Sequence, residues 1–147
     1  MTNFLFPKPD SSRGYSILLL ALRFFFGLML MTHGLEKLGN FIDLSFTFPD
    51  PMGVGKTLSL SLVIFGELCC SLAFILGFLY RLCMIPMIIV MGTAFFYVHE
   101  GSIGNGELAF IYLIVLLLMY IAGPGKYSID AVIYNRMHKV EDEYDDF

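Results

Sequence analysis

Four ionisable side chains sit within stretches that are otherwise too apolar to hold them. Arg23, His33 and Lys37 lie in the run LLLALRFFFGLMLMTHGLEK, residues 18–37, and Glu67 lies in the middle of a second apolar run. A charge at the centre of a bilayer costs about 2.5–3.5 kcal/mol on insertion scales, so it persists only with a partner or in a wet cavity. At helical spacing Arg23, Gly27, Leu30, Gly34 and Lys37 fall on one stripe, with His33 on its flank. The opposite face, with Phe24, Phe25, Leu28 and Met29, is expected to meet lipid or a neighbouring helix. Arg23 and Glu67 come out at comparable depth on successive spans. Left apart they would cost about 6 kcal/mol on the same scale, so the sequence predicts an Arg23–Glu67 contact, direct or through one water. Two readings of that pair stay open: an ion pair that pins the helices, or one wall of a cavity for a polar head group. For the second, Arg23, His33 and Lys37 are hydrogen-bond donors, and a buried Glu67 is a group that could exchange protons.

A second cluster gathers towards the far end of the same helix. Glu36 joins His33 and Lys37 there, with His99 and Glu100 after the third apolar run and Glu107 opening the fourth. Two histidines among carboxylates can ligate a metal, but none of these residues shows ligand spacing within one helix, and no metal site is expected. The cluster reads as a mouth for an anionic or quinone-like head group, or as a solvated rim. The three cysteines, Cys69, Cys70 and Cys83, form no CxxC and read as small hydrophobes. Gly53-Val54-Gly55-Lys56-Thr57 imitates the end of a phosphate-binding loop, but Asp50 stands where that motif needs its first glycine, and nucleotide binding is not expected.

The elements that must position these groups follow from composition. Of 147 residues, 57% are hydrophobic, more than a soluble domain of this size can bury, and the net charge of −4 includes the acidic end EDEYDDF. No basic patch or recognition motif suggests nucleic acid. The pattern predicts an all-α membrane protein with four transmembrane helices in an up-down antiparallel bundle and a short C-terminal amphipathic helix. The expected spans are residues 15–38, 57–79, 82–98 and 107–122 within a membrane domain of residues 15–123. Residues 1–14 read as a cytoplasmic arm, and residues 124–147 as the amphipathic helix and an acidic tail. The first run is longer than a signal-peptide core and is taken as a permanent span. Pro49 and Pro51 forbid a continuous helix through residues 39–56, whose phenylalanines suggest a loop folded over the bilayer surface. Pro86 is placed in the early turns of the third span, where its missing N–H costs least. Gly66, Cys70, Ala73 and Gly77 form a small-residue seam that can pack a partner helix. Lys8, Arg13, Arg81, Lys126, Arg136 and Lys139 fall on one side of the four-span arrangement and Lys37 and Lys56 on the other, which puts both termini in the cytoplasm.

Arg23-x3-Gly27-x6-Gly34-x2-Lys37, Glu67, Gly77 followed by Arg81, Glu107, and Gly123-Pro124-Gly125-Lys126-Tyr127-Ser128-Ile129-Asp130 together resemble the DoxX-like membrane proteins. The likeness covers roughly residues 16–130. It implies a four-helix protein of the prokaryotic plasma (inner) membrane, associated with membrane oxidoreductase systems, one relative being a subunit of a thiosulfate:quinone oxidoreductase. On that resemblance the chain is expected to be a quinone- or lipophilic-ligand-binding component of a redox system, holding its ligand through Arg23, His33, Lys37 and Glu67. The other reading is a non-catalytic membrane subunit or assembly factor. Quinone is the cofactor candidate; lipids, membrane or redox proteins and a second copy of the chain are the partner candidates. Gly27, Gly34, Gly77, Arg81, Gly123, Pro124 and Gly125 are assigned to structure. No residue is assigned to catalysis.

Overall fold

A computed structural model describes residues 12–145, with side chains to residue 137. Of the arm expected at residues 1–14, residues 1–11 lie outside the described residues, as do the side chains of the acidic tail, while Arg13 and Gly14 already belong to the first helix. Among the described residues there are six helices and no strand, in chain order α1 (Arg13–Gly39), α2 (Phe41–Thr47), α3 (Lys56–Leu76), α4 (Tyr80–Val98), α5 (Ile103–Ala122) and α6 (Ile129–Asp145). Four of them, α1, α3, α4 and α5, are long and apolar enough to cross a membrane. Neighbours in the chain pack together, α1 on α3, α3 on α4 and α4 on α5.

The α1 stripe is realised. Ser16, Leu19, Arg23, Gly27, Leu30 and Gly34 are buried, while Phe24, Phe25, Leu28 and Met29 point outwards. Glycine on that stripe lets α3 come close. A Cβ on Gly34 would lie 3.0 Å from the backbone of Glu67 and Leu68, and one on Gly27 would lie 2.5 Å from Ile75 and 3.1 Å from Phe74. Arg23 in turn lies against Gly77. As α1 numbers fall, α3 numbers rise, so these two helices run in opposite directions in a fixed register. The core beside them is built from Leu30, Cys70, Phe74, Tyr80, Met84, Met87, Tyr112 and Leu116.

Several elements differ from the sequence reading. The stretch between α1 and α3 contains a seven-residue helix, α2, which ends at Thr47 before the prolines. Its Ile42 and Phe46 stand about three-quarters exposed, at 76% and 74%. The last span opens at Ile103 and kinks at Gly106, whose φ of −115° and ψ of 24° are not helical. Close packing explains that glycine: a Cβ there would lie 2.7 Å from the His99 side chain. Because α4 begins at Tyr80, Pro86 falls in its second turn and forfeits an intrahelical hydrogen bond. The seam also has a different use. Gly66 faces Val90 and Pro86 of α4, Gly77 faces Arg23, and Cys70 is buried, so these residues pack the chain's own helices rather than a partner's.

Both α3 and α4 contain a widened turn with i→i+5 hydrogen bonding, at Phe65–Cys69 and Ala94–Val98. In α3 the Cys70 N–H donates to the Phe65 carbonyl. The extra residue broadens the inward face, so that Gly66 and Glu67, and then Cys70 and Ser71, are buried as adjacent pairs.

Candidate functional site

The residues expected to form one intramembrane site separate into two, at different levels. The Arg23–Glu67 contact predicted from depth alone is not made. Arg23, 1% exposed, donates from its two terminal nitrogens to the carbonyl oxygens of Pro124 and Tyr127, each at 2.5 Å. Among the described residues its Nε has no acceptor. Depth counted along the chain placed the carboxylate and guanidinium together, but the α1–α3 register sets Arg23 beside Gly77, ten residues from Glu67 and so about 15 Å along α3.

The Arg23 end is a clasp. After α5 the chain turns through Gly123 and Gly125, at φ of 85° and 71°, and presents two carbonyls to the guanidinium. Ser128 then starts α6, its hydroxyl accepting from Ala131 N–H at 3.1 Å and donating to the Gly125 carbonyl at 2.8 Å. Asp130 reaches back to α4. Its two carboxylate oxygens accept the N–H groups of Leu79 at 2.9 Å and Tyr80 at 2.8 Å, capping that helix where Leu79 is held at φ 45°. Burial pushes the Asp130 carboxyl above its ordinary range, against the two amides and the nearby Arg23 charge. Gly77 ends α3 with paired bonds, Gly77 N–H to Phe74 O and Phe78 N–H to Ala73 O, and its left-handed φ of 65° suits glycine. Tyr15 donates to the Ala122 carbonyl and Tyr80 to that of Met119, tying the same end together. Arg81 lies 6.0 Å from the centre of the Tyr120 ring. Arg23, Ser128, Asp130, Tyr15 and Tyr80 all bond to backbone groups of the chain itself.

The second site holds the chemistry. Lys37 Nζ and Glu67 Oε2 form an ion pair at 2.6 Å, with side chains 26% and 5% exposed. Glu67 sits within the widened turn of α3, and Gly34, one turn before Lys37, lets the α3 backbone approach. His33 and Glu36 are near enough to act on the Glu67 carboxylate electrostatically. His33 meets Tyr112 of α5 edge to face, ring centres 6.3 Å apart, and Tyr112 meets Phe26 in the same way at 5.9 Å. Three spans thus converge: α1 supplies the cation, α3 the carboxylate, and α5 an aromatic hydroxyl. Tyr112 and Ser71 were not singled out as site residues from the sequence. Tyr112 lies in an unbroken apolar run, and nothing local marks it as meeting Phe26 and His33.

The rim cluster does not assemble into a ligand set. His99 packs against Gly106, Glu36, Glu100 and Glu107 are exposed, and no group of three potential metal ligands forms among the described residues. Cys70 and Cys83 are buried, Cys69 is exposed, and all three are free thiols. The loop that imitates a phosphate site is closed by its own Asp50. That carboxylate accepts from Val54 N–H, Gly55 N–H and the Ser59 hydroxyl at 3.1, 2.7 and 2.7 Å, taking the donors an anion would need. The Ser59 hydroxyl above all, with those amides, holds Asp50 below its usual range.

Among known proteins, the DoxX family profile matches residues 18–100. A protein of Haemophilus influenzae, described only as uncharacterized, is 30% identical over 129 residues, covering 82% of this chain and 85% of its own. No solved structure matches.

Proposed function

The chain belongs to the DoxX family of multi-pass membrane proteins, and on that premise we propose that it binds the polar head group of a lipophilic molecule, of the quinone class, between α1, α3 and α5. The observation that carries this reading is the Lys37–Glu67 pair, held at 2.6 Å inside two apolar spans. A purely structural pair at that depth contributes little net stability, because removing two charges from water offsets most of their attraction. A site that must offer a donor and a proton-exchanging acceptor to a ligand in the bilayer gives the pair a reason to be there. Lys37, about a quarter exposed, can turn one N–H to a ligand oxygen while keeping Glu67, and His33 flanks both. In this reading the protein is a component of a prokaryotic plasma-membrane redox system, its spans alternate in direction, and both termini are cytoplasmic. Electrons pass to or from a partner protein or a bound cofactor.

Gentle purification followed by mass spectrometry of bound small molecules tests the reading. The wild type is expected to retain a stoichiometric lipophilic compound, and the neutral double variant K37M/E67Q to fold and lose it. A wild type that carries none, or a double variant that keeps it, overturns the assignment.

A further inference from the structure

Two hydroxyls are more deeply buried than the ion pair and have no hydrogen-bond partner among the described residues. Ser71 Oγ and Tyr112 OH belong to residues 0% and 2% exposed, and neither hydroxyl makes a hydrogen bond among the described residues. A buried hydroxyl with no partner is costly, so a native site that keeps two implies something that completes them. Their level is set by the helix register. Gly34 meets Glu67 and Gly27 meets Phe74, which places Ser71 opposite Leu30. The Tyr112 ring contacts Phe26 and His33, on either side of Leu30. Both residues therefore stand at the Leu30 level, on α3 and α5, inward of Lys37 and Glu67. The Tyr112 hydroxyl is also close enough to Glu67 to feel its charge.

Resting on the reading above, we propose that Ser71 and Tyr112 form the inner half of a two-ended site, which takes a lipophilic ring bearing an oxygen function at each end. Lys37 donates to the outer oxygen, and the Tyr112 and Ser71 hydroxyls donate to the inner one. Ser71 lies four residues beyond Glu67, about 6 Å further along the helix, so the hydroxyls and the ion pair stand at two successive levels of the bundle. A single-headed amphiphile such as a fatty acid would satisfy Lys37 and leave the inner hydroxyls empty. A ring with two opposed carbonyls satisfies both levels, and the wall supplied by Phe26 suits a flat apolar body.

The test compares two probes on the purified full chain in nanodiscs: a short-tailed benzoquinone and dodecanoate, with affinities from calorimetric titration of wild type, K37M, Y112F and S71A. Benzoquinone affinity is expected to fall about five- to tenfold in each of Y112F and S71A, the loss of one hydrogen bond. Dodecanoate affinity is expected to fall in K37M only. Benzoquinone binding that K37M weakens and the other two leave unchanged overturns the inner half and spares the proposed function. Absence of benzoquinone binding by the wild type overturns both. Thermal unfolding of the ligand-free protein guards against misreading: Y112F and S71A are expected to unfold at or above the wild-type temperature, since an unpartnered hydroxyl has been removed. A clear drop in both would show that the hydroxyls have structural partners, and would overturn the proposal.

Discussion

Replacing Lys37 by methionine strands the Glu67 carboxylate, 5% exposed, within a span. On insertion scales that charge costs about 3 kcal/mol. The reverse replacement, Glu67→Gln, is cheaper. Lys37 stands two residues before the end of α1 and is already 26% exposed, so its ammonium can reach the interface, at a cost of about 1 kcal/mol. In the double variant no charge remains to be buried, and the net change should be within about 1 kcal/mol of wild type. The single changes then sum to about 4 kcal/mol against about 1 for the double, a coupling of about 3 kcal/mol. Equilibrium unfolding in mixed micelles measures all four proteins. The same cycle with Arg23→Met and Glu67→Gln provides the control. Arg23 is about 15 Å away in the helix register, so those two changes should add within about 0.5 kcal/mol. Additive Lys37 and Glu67 changes, or an Arg23–Glu67 coupling as large as the one worked out above, would refute the assignment of partners.

Asp130→Ala removes both acceptors for Leu79 and Tyr80 N–H, and should cost about 1–2 kcal/mol in the same unfolding assay, as loss of a helix N-cap does. Gly77→Ala places a methyl on the Arg23 guanidinium and on Ser128 at a left-handed φ, so it should cost more than the roughly 1 kcal/mol of backbone strain alone. Asp50 and Asp130, the first in the loop before α3 and the second in the first turn of α6, should respond to pH with opposite signs. Asp50, held below its unfolded value, contributes stability that is present above that value and is lost as pH falls through the lower folded one; D50N should reduce the acid sensitivity of unfolding. Asp130, raised by burial, favours the fold most below its unfolded value and loses that contribution as pH rises through the raised one; D130N should remove the decline on that rising limb.

The four spans, the buried stripe of α1 and its outward phenylalanines were legible in the sequence, because hydrophobic length and a 3.6-residue period are local properties that a lipid environment makes hard to override. The resemblance to DoxX-like proteins was legible for a similar reason, since it rests on residue types at set spacings. Who pairs with whom was not. Arg23 and Glu67 looked like partners by depth and charge, yet the contact of Gly34 with the Glu67 backbone sets a register that hands Glu67 to Lys37 and leaves Arg23 for carbonyls more than a hundred residues away in the chain. Ser71 showed only as a residue four positions after Glu67 on the same helical face, and Tyr112 gave no local sign. Their importance comes from a widened turn in α3 and from α5 closing over His33, arrangements that exist only once three helices are packed together.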